Sequence, residues 1–191
     1  MSTVAKTLLT PEQYLEIVRK AEFRSEYYQG EIFAMAGAAD SHNLIVTNLT
    51  SEFREQLRKR PCFTYSHDMR VRVSTTGLYT YPDVLVVCGE RQFLDDRRDN
   101  LLNPAVIVEV LSPSTEAYDR GRKFEHYRSI ESLREYLMVS SESIGADLYT
   151  RQPDGRWMLT AASRLEDILE IESIDCRLVL ADVYEKVEPA Q

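Results

Sequence analysis

A glutamate stands inside an otherwise apolar run, Ala105-Val106-Ile107-Val108-Glu109-Val110-Leu111. An ionised carboxylate is costly in such a strand unless it is paired or bound to a cation. Strand geometry puts Glu109 on one face with Ile107 and Leu111. A second acid, Asp83, follows Pro82 at the mouth of another apolar run, Val84–Val87. Pro82 holds its predecessor extended, so Asp83 enters that strand at a defined point. Each acid has an ordinary reading alone: Glu109 as a strand-end carboxylate with a salt bridge or solvent access, Asp83 as a turn residue. On neighbouring strands the two form an oxygen site for a hard cation. Mg²⁺, with Mn²⁺ as a substitute, accepts two carboxylates and completes its shell with water and phosphate.

Lys123 is the third candidate. The chain advances about 13 Å from Glu109 to Pro113 as a strand and returns about 12 Å from Thr115 to Lys123 as a helix. Folded back along the sheet, that helix brings Lys123 level with Glu109, where an ammonium can orient water or shield a phosphate's charge. The alternative is a solvated lysine in the basic run 120–128. Glu26 and Glu31 bracket a hairpin and are either auxiliary carboxylates or exposed acids. His42 lies in the first turn of a helix, able to meet water or phosphate, or to serve as a capping residue. His67 and His126 are isolated and read as structural. Arg120 and Arg122 sit beside the proposed site, and Arg70 and Arg72 share a strand face; all four suit contacts to a phosphate backbone.

These residues need elements to hold them. Thr10-Pro11-Glu12-Gln13 is a helix start with a capping box. Tyr27-Tyr28 and Ile32-Phe33 flank Gln29-Gly30 as a tight hairpin. Asp40-Ser41 opens a helix with Leu44, Ile45, Leu49, Phe53 and Leu57 at helical spacing, ended by Pro61. Strands are expected near Cys62–Ser66, Met69–Val73 and Tyr81–Cys88, followed by a polar loop, Arg91–Leu102. The continuous run Ala105–Leu111 reads as a central strand covered on both faces. A helix follows to about Ser129, then strands at Glu135–Ser140, Ala146–Thr150, Arg156–Thr160 and Arg177–Leu180 and a short terminal helix. The expected class is α/β (α+β): a mixed sheet flanked by helices, with an N-terminal helix and β-hairpin.

The 191 residues fit a single domain, 1–191, with a core at about 10–140 and C-terminal strands and helix at 141–186. A net charge of −8 argues against a basic coat for indiscriminate DNA binding but leaves room for a local basic patch. The run Met1–Gln13 lacks the apolar segment of a secretory signal, and no run has membrane-spanning length, so a cytoplasmic location away from membranes is expected. Cys62, Cys88 and Cys176 are scattered, without a CxxC, and read as buried packing residues rather than a zinc site or disulfide framework.

The order of Pro82-Asp83, an apolar strand, then Glu109 in a second apolar strand resembles the PD-(D/E)XK nuclease superfamily. The segments EYYQGEIFAMAGAADSH, YPDVLVV and NPAVIVEVLSPSTEAYDRGRKFEHYRSIESLREYLMVS resemble more closely its Uma-type branch, a bacterial family of restriction-endonuclease-like proteins. The resemblance implies a restriction-endonuclease-like fold and a Mg²⁺-dependent DNA endonuclease. Asp83, Glu109 and the main-chain carbonyl of Val110 would bind metal, and Glu26, Glu31 or His42 would assist. It departs at Leu111, where the superfamily carries its lysine; in this branch the lysine looks displaced to Lys123. A homodimer would supply two active sites for a double-strand break. Two other readings stay open: a nuclease-like nucleic-acid-binding or assembly module without catalysis, and a metal-dependent hydrolase of another phosphate substrate.

Overall fold

The computed structural model describes residues 8–188, so the reading of Met1–Gln13 lies partly outside the described residues. Helix α1 (Pro11–Val18) opens as its sequence dictates, with the Thr10 side chain accepting from the Gln13 N–H and Gln13 accepting from the Thr10 N–H. Strands β1 (Ser25–Tyr28) and β2 (Glu31–Ala34) form the hairpin. Its two-residue turn holds Gln29 at φ 48° and Gly30 at φ 87°, the left-handed pair that matches strand twist. A Cβ on Gly30 would stand 2.7 Å from the Leu8 Cβ.

Helix α2 (Asp40–Leu57) is followed by β3 (Cys62–Ser66), β4 (Arg70–Val73), β5 (Leu78–Thr80), β6 (Val84–Cys88), β7 (Asn100–Leu101) and β8 (Val106–Leu111). The helical stretch after β8 has three parts: α3 (Glu116–Tyr118), a π-helical turn (Asp119–Lys123) and α4 (Phe124–Tyr127). Strands β9 (Glu135–Ser140), β10 (Ala146–Arg151), β11 (Trp157–Ala162), β12 (Ile168–Ile171) and β13 (Cys176–Val179) lead to α5 (Leu180–Val183).

The strands form more than one sheet. A six-stranded sheet runs β11-β10-β9-β8-β6-β3, a five-stranded sheet runs β2-β1-β5-β4-β7, and β12-β13 stand as a pair. The sequence reading had one sheet because β5 and β7, at three and two residues, are too short to show a period. The segment read as a polar loop, Arg91–Leu102, contains β7, which pairs parallel with β4.

In the six-stranded sheet, β8 runs antiparallel to β6 and parallel to β9, and all six of its residues are buried. Val106, Val108 and Val110 pack with Ile45, Val46, Leu49 and Phe53 of α2. Truncating fully buried Phe53 to alanine there would cost about 3–5 kcal/mol. Ile107 and Leu111 face the other way, onto Val71, Val73, Leu78 and Leu101 of the five-stranded sheet and Tyr127 of α4. Glu109 therefore projects into the layer between the two sheets and the helical stretch.

The cysteines require a correction. Cys62 and Cys88 are opposite one another in the β3–β6 register, with Cα atoms 4.0 Å apart, and form a disulfide. Only Cys176 is a buried free thiol among the described residues. Strand register, invisible in the spacing of 26 residues, decides this pairing. No helix among the described residues is long and apolar enough to cross a membrane.

Candidate active site

Asp83 lies just before β6, and extending the register Val84–Val108 by one residue sets it opposite Glu109. Its Oδ2 accepts the Val110 N–H at 2.8 Å and lies 3.2 Å from His42 Nε2 in the first turn of α2. The N–H and C=O of one strand residue point to the same side. The Val110 carbonyl is thus directed towards Asp83, beyond the end of β6.

Glu109 is 3% exposed. Its Oε1 accepts the Tyr127 hydroxyl at 2.7 Å and lies 3.0 Å from Lys123 Nζ. Lys123, also buried, is 3.1 Å from Asp119 Oδ1 and 3.6 Å from Glu26 Oε1. Thr80 of β5 donates to that same Glu26 oxygen, so the five-stranded sheet supplies one wall and the helical stretch the other. Asp119 and Lys123, four residues apart, share one face of the helical stretch and are both buried there; the π turn that holds them is of a kind frequent at functional sites.

The electrostatics are one-sided. Three carboxylates, Glu26, Glu109 and Asp119, lie within 4 Å of one ammonium, and a fourth, Asp83, acts on Glu109 and Asp119. Burial lifts the Glu109 carboxyl well above its usual range; Lys123 opposes the rise, while Asp119 and Asp83 add to it. Burial likewise lifts Asp119 against the pull of Lys123. Burial alone would lower Lys123, but Glu109, Tyr127, Glu26 and Asp119 reverse that and hold the ammonium charged. Burial raises the Tyr127 phenol far up, with Glu109 adding to the effect, so it remains a hydrogen-bond donor. Tyr118, at the rim, is pushed up to about 12 by burial and by Glu26. The inner end, Glu109-Lys123-Tyr127, is closed; Asp83, His42 and Glu26 keep 12–17% of their side-chain surface and form the open end.

Among the described residues no group of three or more His, Cys, Asp or Glu side chains is disposed to hold a metal ion. A site of two carboxylates and a carbonyl is smaller than that and fits a hard cation on two grounds. Asp83 Oδ1 and Glu109 Oε2 take no hydrogen bond from the described residues, while their sister oxygens are held by the protein. The surplus of buried negative charge also calls for a cation.

The structure thus brings together Asp83, Glu109, Lys123, Glu26 and His42. Glu31 stands opposite Tyr28 at the hairpin turn, on the face that carries Glu26. Arg70 is not disposed to meet a phosphate: it is buried and its guanidinium is taken by Asp99, which Arg19 also grips. Arg72 lies over the Tyr79 ring at 5.7 Å. Arg120 is held by Glu116 at 2.7 Å and Asp147 at 2.6 Å, whereas Arg122 is exposed. His67 occupies a turn at φ 62°, and buried His126 packs edge-on to Tyr28. Sequence reasoning missed Asp119, Tyr127 and Thr80. The spacing Asp119, Lys123, Tyr127, four residues apart each time, was the available signal for the first two.

Comparison with known proteins follows the same line. The model of the Uma2 family, described as "Putative restriction endonuclease", matches residues 11–181. Two proteins of Synechocystis sp. (strain ATCC 27184 / PCC 6803 / Kazusa) are similar. "Uncharacterized protein slr1290" is 38% identical over 178 residues, covering 92% of this chain and 91% of its own. "Uncharacterized protein sll1609" is 36% identical over 161 residues, covering 84% and 91%. A crystal structure of a "putative nuclease belonging to DUF820" from Anabaena variabilis ATCC 29413 shares the fold. Its TM-score is 0.78 at 16% identity, over 94% of this chain and 99% of that one. The chain, with its restriction-endonuclease-like fold, belongs to the Uma2 family.

Proposed function

We propose that this protein is a Mg²⁺-dependent endonuclease that hydrolyses phosphodiester bonds in DNA. The observation that carries the reading is Lys123 Nζ lying 3.0 Å from Glu109 Oε1, in a cleft where Asp83 faces Glu109 from the next strand. That juxtaposition supplies the ammonium that Leu111 cannot. The family description and the shared nuclease fold support the same reaction class.

Asp83, Glu109 and the Val110 carbonyl would hold Mg²⁺, or Mn²⁺ in its place. The ion supplies Lewis-acid stabilisation of phosphate charge and acidifies water when bound. The chain's own groups do the rest. Tyr127 fixes the Glu109 carboxylate by donating to Oε1, and the Val110 N–H and His42 fix Asp83. Lys123 presents a charged donor that orients water and counters the charge developing on the phosphate. The scissile phosphate enters at the open end, between Asp83, His42 and Glu26, because the Glu109 end is closed by Tyr127.

Supercoiled plasmid incubated with Mg²⁺ should be nicked or linearised by the wild type. Asp83→Ala and Glu109→Ala should abolish this, as should EDTA. Cleavage persisting in both variants would overturn the assignment. Plasmid bound but never cut in any divalent metal would favour a nucleic-acid-binding module instead.

A further inference from the structure

At the outer edge of the six-stranded sheet, β3 and α2 border a groove of about 880 Å³. One end lies at the candidate active site: Ser66 pairs with Val84, the His67 N–H donates to the Asp83 carbonyl at 3.2 Å, and the first turn of α2 sets His42 against Asp83. The other end is marked by Arg58 and Cys62. From Thr47 to Arg58 the helical wall is about 16 Å long.

The charge of this groove runs against that of the whole chain. Arg54, Arg58 and Arg91 line it, with Glu55 as the one acid among the described lining residues. Arg19, Arg60, Arg70, Arg120 and Arg164 are each held by carboxylates, while Arg97, Arg98 and Arg134, which lie outside the groove, share with the groove arginines the absence of an ion pair among the described residues. Arg54 and Arg58 make no ion pair among the described residues. Arg91 donates to the Tyr65 hydroxyl at 2.7 Å and lies over the Phe63 ring at 3.9 Å. In a protein of net charge −8, three arginines without carboxylate partners in one groove form a local site for a polyanion.

We propose that this groove carries the polynucleotide strand flanking the cut, with Arg54, Arg58 and Arg91 on successive phosphates. The proposal rests on the nucleic-acid reading above. Arg54 and Arg58, four residues apart, stand on one face of α2 along this groove. The groove's continuity with Asp83 connects this path to the open end of the cleft. A second copy added at the β3 edge is disfavoured, because a two-fold axis there would bring both arginine sets together.

The test measures binding of full-length protein to a fluorescein-labelled DNA of about 20 nucleotides, single-stranded and duplex, in Ca²⁺ across a salt series. The variant combines Arg54→Ala, Arg58→Ala and Arg91→Ala; a charge-matched control combines Arg97→Ala, Arg98→Ala and Arg134→Ala. The proposal expects the groove variant to lose roughly tenfold or more in affinity near 0.1 M salt. Its slope of log K against log salt should be shallower by about 2–3, with the control near wild type. A groove variant that binds like wild type overturns the groove path while leaving the nuclease reading intact. So does an equal loss in the control, or a change confined to oligomeric state. A wild type that neither binds nor cuts DNA overturns both.

Discussion

Replacing Lys123 by methionine removes the only ammonium in the buried cluster while keeping most of its volume. At 3.0 Å from Glu109 Oε1, its gross attraction is about 5–6 kcal/mol at an effective dielectric near 20. Desolvation offsets much of this, and removing one partner of a buried pair costs about 3–5 kcal/mol. The loss should depend on pH in a fixed direction. Burial already holds Glu109 and Asp119 above their ordinary values with Lys123 opposing the rise, so Lys123→Met pushes both higher. The folded variant then retains protons that the unfolded chain releases, and its stability falls as pH rises from about 4. The slope is up to about 1.4 kcal/mol per pH unit for each extra proton retained. Urea unfolding of both proteins at a series of pH values from 4.5 to 8 checks this. The two should approach one another at the acid end and differ by about 3–5 kcal/mol at the alkaline end. Plasmid cleavage should fall by about 10²–10³. A variant as stable as wild type at pH 8 would refute the idea that Lys123 compensates buried carboxylates.

Other outcomes follow from other parts of the molecule. Asp99→Asn leaves buried Arg70 without its carboxylate and should cost about 3 kcal/mol in urea unfolding at neutral pH. Because the Arg19 hydrogen bonds hold the Asp99 carboxyl below its usual value, its contribution is present above the unfolded pKa and lost as pH falls through the lowered one. The variant should accordingly show a weaker acid dependence. Reducing the Cys62–Cys88 bridge, which closes a separation of 26 residues, should lower stability by about 3.5 kcal/mol; a Cys62→Ser, Cys88→Ser protein should not respond to reductant. Gly30→Ala sets a side chain at φ 87° against Leu8. It should cost at least about 1–2 kcal/mol, lowering the melting temperature by about 2–8 °C.

Some of the site was legible because its residues break a pattern. Glu109 interrupts an apolar strand, Asp83 follows a proline at a strand mouth, and the helical return that brings Lys123 back is simple path length. Asp119 was hidden within a run that reads as basic surface, and its four-residue spacing to Lys123 was the signal that could have found it. Tyr127 is an ordinary core residue until Glu109 is known to lie beside it. The Cys62–Cys88 bridge and the Arg70–Asp99 pair depend on tertiary register between segments 26 and 29 residues apart, which local periodicity does not encode. For the same reason Arg70 read as a surface cation from its alternation with Arg72. The helices were clear where caps and spacing agreed, as at Thr10–Gln13 and along α2. The second sheet was not, because its strands are short and meet only when distant segments pair.

The π turn at Asp119–Lys123 carries one residue more than an α turn would need, which gives the cluster a tolerance of chain length that its side chains lack. Loss of one residue there, such as Gly121, whose missing Cβ would meet open space, would return the segment to α winding and keep the residues on either side in phase. Asp119 and the lysine would then stand three residues apart instead of four and still share one helix face. Among descendants of this gene, a one-codon deletion at Gly121 would therefore tighten the turn without scattering the cluster, whereas replacing Glu109 removes its centre.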